Sequence, residues 1–359
     1  MTNKINRRDL FKATGAATLG IAFHSITANA ASAAETGPKL ISLSGNENSY
    51  GPSPAARDAL IDASSRAFRY EYSAQLQFVE KIARKEGVPA DHIVLGSGSS
   101  EVLCASGLAF CGNDKDAVAA DLGFGMVAGY AGRVGGDIHW VPLDAKMRHD
   151  LDAMAQRIDS STGMVYICNP NNPTGTIVDS DRLRDFCASL PSDVITVVDE
   201  AYLEFTDNFE ELTMLDRVRA GDNVVVTRTF SKIHGLAGAR LGYAIARPDL
   251  AARLTDSKMC KFQGPFAVSA GNASLDDVEH LVFCRDRARE GRALVHGLCD
   301  ELGLEYSDAV ANFSFINPKM SNAEFKARML ANGIEAARPF PPKADWARVT
   351  IGTTEEMKI

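Results

Sequence analysis

Val224-Val225-Val226-Thr227-Arg228-Thr229-Phe230-Ser231-Lys232 carries an apolar run into a hydroxyl-rich turn and places a lysine at its end. Gly235-Leu236-Ala237-Gly238-Ala239-Arg240 follows it. A β-branched run of this length, closed by such a turn, reads as a buried strand. The lysine at its end then has two readings. It is either a structural lysine with its ammonium at the rim, or an amine of lowered pKa able to form a Schiff base.

Further apolar runs flank this one, at residues 93–95, 117–122, 138–143, 164–168, 194–198 and 241–246. They are apolar on both faces, as strands covered by helices on each side must be. Helix-like segments separate many of them, for example residues 102–110 and 180–190, so the expected fold is α/β with a mostly parallel sheet. From about Pro265 the pattern changes. A long charged amphipathic helix (278–302), a strand (313–316), a helix (323–331) and a strand (348–351) suggest a smaller α+β domain.

Three more motifs sit where ligands of open parallel sheets bind, after strand carboxyl ends. Val197-Val198-Asp199-Glu200-Ala201-Tyr202 ends a strand on an aspartate, which either caps a helix or holds a pyridinium nitrogen protonated. Asn169-Pro170-Asn171-Asn172-Pro173-Thr174-Gly175 forms a rigid turn able to aim an asparagine at the crevice, although any Pro/Gly turn shares part of that pattern. Gly96-Ser97-Gly98-Ser99-Ser100-Glu101 opens a helix with small residues, which suits a phosphate but also an ordinary N-cap. Its glycine spacing is not that of a dinucleotide fold, and it lacks the Lys-Ser/Thr of a P-loop.

The N-terminus is of another kind. Asn6-Arg7-Arg8-Asp9-Leu10-Phe11-Lys12 precedes a mild apolar stretch (13–26) and the small-residue sites Ala28-Asn29-Ala30 and Ala31-Ser32-Ala33. This is the layout of a secretory signal, and the paired arginines resemble a twin-arginine signal; the alternative is an amphipathic first helix. The expectation is a signal at residues 1–33, export by the twin-arginine translocase, and a periplasmic protein. The net charge of -8, with no basic run, gives no reason to expect a nucleic-acid partner. Seven cysteines, an odd count with no Cys-x-x-Cys, suggest neither a metal site nor a disulfide framework.

Taken together, the order Asn-Pro-Thr-Gly, Asp-x-Ala-Tyr, Ser-Lys, then an arginine eight residues on resembles the fold-type I aminotransferases of class I/II, within them the histidinol-phosphate aminotransferase group. Gly45-Asn46-Glu47-Asn48-Ser49-Tyr50-Gly51-Pro52-Ser53-Pro54, Arg69-Tyr70, residues 333–342 (GIEAARPFPP) and Ala347-Arg348-Val349-Thr350-Ile351-Gly352-Thr353 add to the likeness, which covers nearly all of the mature chain. It implies a large domain with a mostly parallel seven-stranded sheet (66–264), an N-terminal arm that joins the small domain (34–65), and a C-terminal small domain (265–359). The family continues with a last helix after Thr-Ile-Gly-Thr, so the C-terminus is expected to be truncated.

The resemblance also implies pyridoxal 5′-phosphate as cofactor and a role for each matching residue. Lys232 would hold the cofactor and shuttle protons. Asp199 would pair with the ring nitrogen, and Asn172 and Tyr202 would bond its phenolic oxygen. Ser99, Ser100, Ser231 and Arg240 would cup the phosphate, and Phe124 would stack on the ring. Tyr70 would reach the phosphate in a neighbouring subunit, so a homodimer is implied. Arg348 would bind an anionic group of the substrate, with Arg338 and Tyr50 as further contacts. Ser49 stands where the family usually has proline. The implied reaction is ping-pong transamination between an amino donor and a 2-oxo acid. A lyase or decarboxylase on the same fold, or a non-catalytic periplasmic amino-acid-binding protein, are the rivals. Export sits poorly with histidine biosynthesis, which leaves the donor open.

Overall fold

Burial explains why the central strands pair. In the computed structural model, which describes residues 40–112, 115–336 and 338–359, β1 (Ile41–Ser42) lies apart from the main sheet. β2 (Ile93–Gly96), β3 (Asp116–Ala120), β4 (Ile138–Val141), β5 (Thr162–Cys168), β6 (Ile195–Asp199), β7 (Val224–Thr229) and β8 (Gly242–Ile245) form one sheet in the order β2-β8-β7-β6-β5-β3-β4. β8 runs antiparallel to β2 and β7, and the remaining pairs are parallel. Every residue of β5, β6 and β7 is buried. Alternate residues feed two cores: Val165, Ile167, Val198 and Val226 on one face, and Tyr166, Cys168, Val197 and Val225 on the other. This is the mostly parallel α/β sheet that was expected, with the strands displaced by no more than a few residues at their ends. The expected export signal lies outside the described residues.

Near the C-terminus, β9 (Glu305–Tyr306), β10 (Phe313–Asn317), β11 (Ile334–Glu335) and β12 (Ala347–Thr350) build the smaller layer. The antiparallel sheet β12-β10-β9 packs on the helix Val278–Leu302, and β11 pairs in parallel with β1. That helix begins at Asp277, whose carboxylate accepts from the His280 N–H. Leu43, Ile316, Ile334 and Val349 share one core.

The helix Pro265–Ser274, assigned from sequence to the small domain, packs on the helices Pro54–Ala63 and Tyr72–Glu86. Its Ala267, Val268 and Ala270 enter the core of the large sheet. The Gly264-Pro265 pair marks the start of this helix. No helix among the described residues is long and apolar enough to cross a membrane.

Two features fix the sheet's carboxyl edge. The first is a dock between layers: Ser307 Oγ donates to the Thr174 carbonyl (2.5 Å) and Val310 N–H to the Gly175 carbonyl (2.9 Å). Gly175 has φ +70°, and a Cβ there would lie 2.5 Å from the Ala309 Cβ, so this turn tolerates only glycine. The second is a buried ionic cluster. Arg228 on β7 meets Glu86 (2.5 Å) and Glu200 (3.1 Å), all nearly sealed from solvent. Tyr243 donates to the other oxygen of Glu86 (2.7 Å). Removing one member of such a cluster strands the opposite charge in the interior. Arg228→Met is therefore expected to lose about 3–5 kcal/mol of stability, read from the midpoint of urea unfolding. A loss under about 1 kcal/mol, the range of an exposed pair, would show that the two carboxylates are compensated elsewhere.

Candidate active site

Because β2, β3, β5, β6 and β7 are mutually parallel, their carboxyl ends lie along one edge. A cavity of about 450 Å³ opens there. It gathers Ser99 and Ser100 from the start of the helix after β2, Phe124 after β3, Asn172 after β5, Asp199 and Tyr202 from the end of β6, and Ser231, Lys232 and Arg240 after β7. Arg338 and Arg348 close it from the C-terminal layer.

Each wall has its own chemistry. Lys232 Nζ donates to the Asn46 carbonyl (3.1 Å) and lies 5.4 Å from the centre of the Tyr202 ring. Burial, helped by the charge of Arg348, brings its pKa down to about 8, against the pull of Glu47 and Asp199. That leaves about a tenth of the amine unprotonated at pH 7, a far larger share than a free lysine has. Asp199 is buried and accepts from Tyr166 Oη (3.1 Å), Thr227 Oγ1 (2.9 Å) and the Ala201 N–H (3.3 Å). Burial raises its pKa and these donors oppose that rise. Tyr202 Oη accepts from Asn46 Nδ2 (3.1 Å) and more loosely from Asn172 Nδ2 (3.4 Å), and burial raises its pKa as well.

Opposite lies a basic cup. The helix Ser99–Phe110 begins without any side-chain cap, and its first two residues line the cavity. Arg240 reaches over Gly98, with Nη1 3.4 Å from Ser231 Oγ and Nη2 3.1 Å from the Ser97 carbonyl. Gly98 has φ +78°, and a Cβ there would stand 2.3 Å from Arg240 Nη2. Donors and a guanidinium, with no carboxylate among them, suit a phosphate.

Arg348 forms the third wall. Nη1 donates to Asn172 Oδ1 and Nη2 to the Ser44 carbonyl, both at 2.6 Å, while its buried Nε has no partner among the described residues. Burial lowers its pKa to about 10, still well above neutral, so the guanidinium is charged. Phe340 lies under both Arg338 (4.9 Å) and Arg348 (5.1 Å), and an adjoining cavity of about 380 Å³ runs past Phe340 and Leu122.

Two expected residues are not brought in. Tyr50 does not line the cavity: its hydroxyl accepts from the Thr354 N–H (2.9 Å) and its ring sits edge-on to Phe283. Tyr70 is 77% exposed and stacks on Tyr72, outside this chain's cavity. Conversely, Asn46 and Cys168 line the cavity, and Tyr166 and Thr227 support it from beneath, although none of them was expected as a site residue. Asn46, in the left-handed region at φ 53°, lay in the quoted Gly45–Pro54 match; the other three are hidden inside strand runs.

Residues 38–359 match the family described as Aminotransferase class I and II. The chain belongs to this family. It is 36% identical over 322 residues to a histidinol-phosphate aminotransferase of Brevibacillus brevis, covering 89% of this chain and 87% of that one. A second, from Moorella thermoacetica, is 36% identical over 324 residues, with coverage of 88% and 82%. A solved structure from Erwinia carotovora atroseptica superposes with TM-score 0.86 at 30% identity, covering 89% and 93%. That of the Sinorhizobium meliloti histidinol-phosphate aminotransferase, in complex with pyridoxal-5′-phosphate, shares the fold at TM-score 0.82 and 24% identity, covering 89% of each chain. This aminotransferase uses pyridoxal phosphate, and its residues fit that cofactor: an amine of lowered pKa for the aldehyde, a buried carboxylate for the ring nitrogen, and a cup that a Cβ would fill. Gly98→Ala should displace Arg240 and weaken pyridoxal phosphate binding about 10-fold or more, the scale of a lost charge-assisted contact. Titrating cofactor into apoenzyme checks this; affinity within twofold of the parent would place Arg240 outside the cup's function.

Proposed function

We propose that this aminotransferase takes its amino group from a donor bearing a carboxylate or phosphate, passes it to a 2-oxo acid, and works as a homodimer exported by the twin-arginine route. One observation carries the donor class: the buried Arg348 guanidinium, fixed by Asn172 and the Ser44 carbonyl, keeps an unpartnered Nε at the cavity. A planar fork of this kind matches carboxylate or phosphate. Arg338, at the mouth, adds a second positive charge. Histidinol phosphate, the substrate in the names of the curated relatives, fits this class, as does an ordinary amino acid, including an aromatic one beside Phe340.

Pyridoxal phosphate, when bound, supplies a ring that draws away the charge released as the donor's Cα–H bond breaks. The chain's own groups do the rest. Ser99, Ser100, Ser231 and Arg240 would hold the phosphate. Asp199 would keep the ring nitrogen protonated. Asn172 and Tyr202 would bond the phenolic oxygen, and Phe124 would flank the ring. Lys232 would hold the cofactor and, when its amine is free, would take the donor's Cα proton at Nζ and hold it for delivery to a different carbon. Its lowered pKa suits both tasks.

The dimer is supported by an exposed aromatic patch, Phe68, Tyr70, Tyr72 and Phe262, that borders the cup through the Ser97–Gln263 bond. Tyr70 would then reach the partner's cup. Export is supported by the Arg7-Arg8 layout of the first 33 residues. It explains a folded, cofactor-bearing cargo better than unfolded secretion does.

A donor panel tests the central proposal. Without a 2-oxo acid, the true donor should convert bound cofactor stoichiometrically to pyridoxamine phosphate. A lyase or decarboxylase would release product without that conversion. Arg348→Lys should raise donor KM by about 10- to 150-fold, from the 1.5–3 kcal/mol of a lost charge-assisted bond, and leave the cofactor spectrum intact. A best donor with no anionic group, or an unchanged KM, would overturn the assignment. Replacing Arg7 and Arg8 with lysines should trap the precursor in the cytoplasm; continued export would make the segment a general secretion signal.

A further inference from the structure

The Asp199 carboxylate is held from beneath by two hydroxyls that line no part of the cavity. Asp199 and Thr227 are register partners on β6 and β7, and Thr227 Oγ1 donates to Asp199 Oδ1 across the ladder (2.9 Å). Tyr166 lies on β5 opposite Val197, one pleat repeat deeper on the face that Asp199 shares. Its ring packs in that core and its hydroxyl reaches up to Asp199 Oδ2 (3.1 Å). Tyr166 is 3% and Thr227 0% exposed. A carboxylate has about four lone-pair sites. With Ala201 N–H on Oδ1 as well, three direct donors leave one site open toward the cavity. Cys168 Sγ is 4.0 Å from Oδ2 and lies closer to the Pro170 carbonyl (3.3 Å), so it adds little.

We propose that Tyr166 and Thr227 are positioning residues for the cofactor: their hydroxyls lock the Asp199 carboxylate so that its remaining lone pair faces the ring nitrogen. This rests on the reading of Asp199 given above. A carboxylate turns readily about its last bond, whose torsion has broad minima. A donor on each oxygen removes that freedom. The same bonds favour the ionised form against burial, which a neutral wall would not do. The apolar part of the position needs only a ring: phenylalanine would fill the Tyr166 core site. The hydroxyl is therefore explained by what it touches.

The test compares Tyr166→Phe, Thr227→Val and Thr227→Ser with Asp199→Asn, all with full-length enzyme. For Tyr166→Phe and Thr227→Val, cofactor dissociation constants should rise about 10-fold, the scale of a hydrogen bond to a charged group. The visible band of bound cofactor should move. The rate of the donor half-reaction should fall while donor KM changes little. Thr227→Ser, which keeps the hydroxyl, should restore affinity and spectrum. A purely structural role predicts a lower melting temperature in Tyr166→Phe with spectrum and cofactor affinity unchanged, and equal behaviour of Thr227→Ser and Thr227→Val; either result overturns the proposal. If Asp199→Asn itself leaves affinity and spectrum unchanged, the reading of Asp199 falls first. If only Asp199→Asn perturbs them, the positioning role alone is lost.

Discussion

A negative charge buried at the end of a strand is the constraint on which this structure turns. Asp199 has almost no contact with solvent, and an isolated carboxylate there would be costly enough to take up a proton instead. Three donors offset part of that cost, each placed by a neighbouring strand or by the turn that follows. The next residue, Glu200, repeats the problem on the opposite face and is answered by Arg228 and Thr213. Two consecutive acids thus point to opposite sides of one strand, as the two-residue period requires. One faces a ligand cavity and the other anchors the sheet.

The cavity follows from the same parallel arrangement. Strands running one way deliver all their following segments to one edge; six do so here, and those after five of them line the cavity. The large sheet supplies the amine, the carboxylate and the anion cup. The substrate side comes from the layer built by the two ends of the chain: Asn46 bonds Tyr202, and Arg348 bonds Asn172. Asn172 sits on the seam, in the turn whose Gly175 is pressed against Ala309.

Much of this is legible in the sequence because the strands are apolar on both faces and their ends carry distinctive residues. Lys232, Asp199, Asn172 and Arg348 stand immediately after or within such runs, and the structure brings all four to one cavity. What stayed hidden has physical reasons. Tyr166 and Thr227 sit inside apolar runs, where a hydroxyl looks like ordinary strand composition. Tyr50 lies in a motif that matched the family, yet its hydroxyl is held by the Thr354 N–H, a contact 304 residues away that no local pattern reveals. The helix Pro265–Ser274 carries no local sign of which core it joins, because small residues such as Ala267 and Ala270 fit either.

The Arg348–Asn172 and Asn46–Thr350 contacts join positions 176 and 304 residues apart. During synthesis the residues of the cup and the amine are therefore made before Arg348 is. A ribosome-bound chain that has released β7 and β8 already holds Lys232, Asp199 and Arg240, but not Arg348. The residues that hold the cofactor and the arginine that grips the donor thus enter the growing chain at different times. An early stop between residues 320 and 347 would remove Arg348, and with it the donor's anchor, while leaving every residue of the cup in the chain.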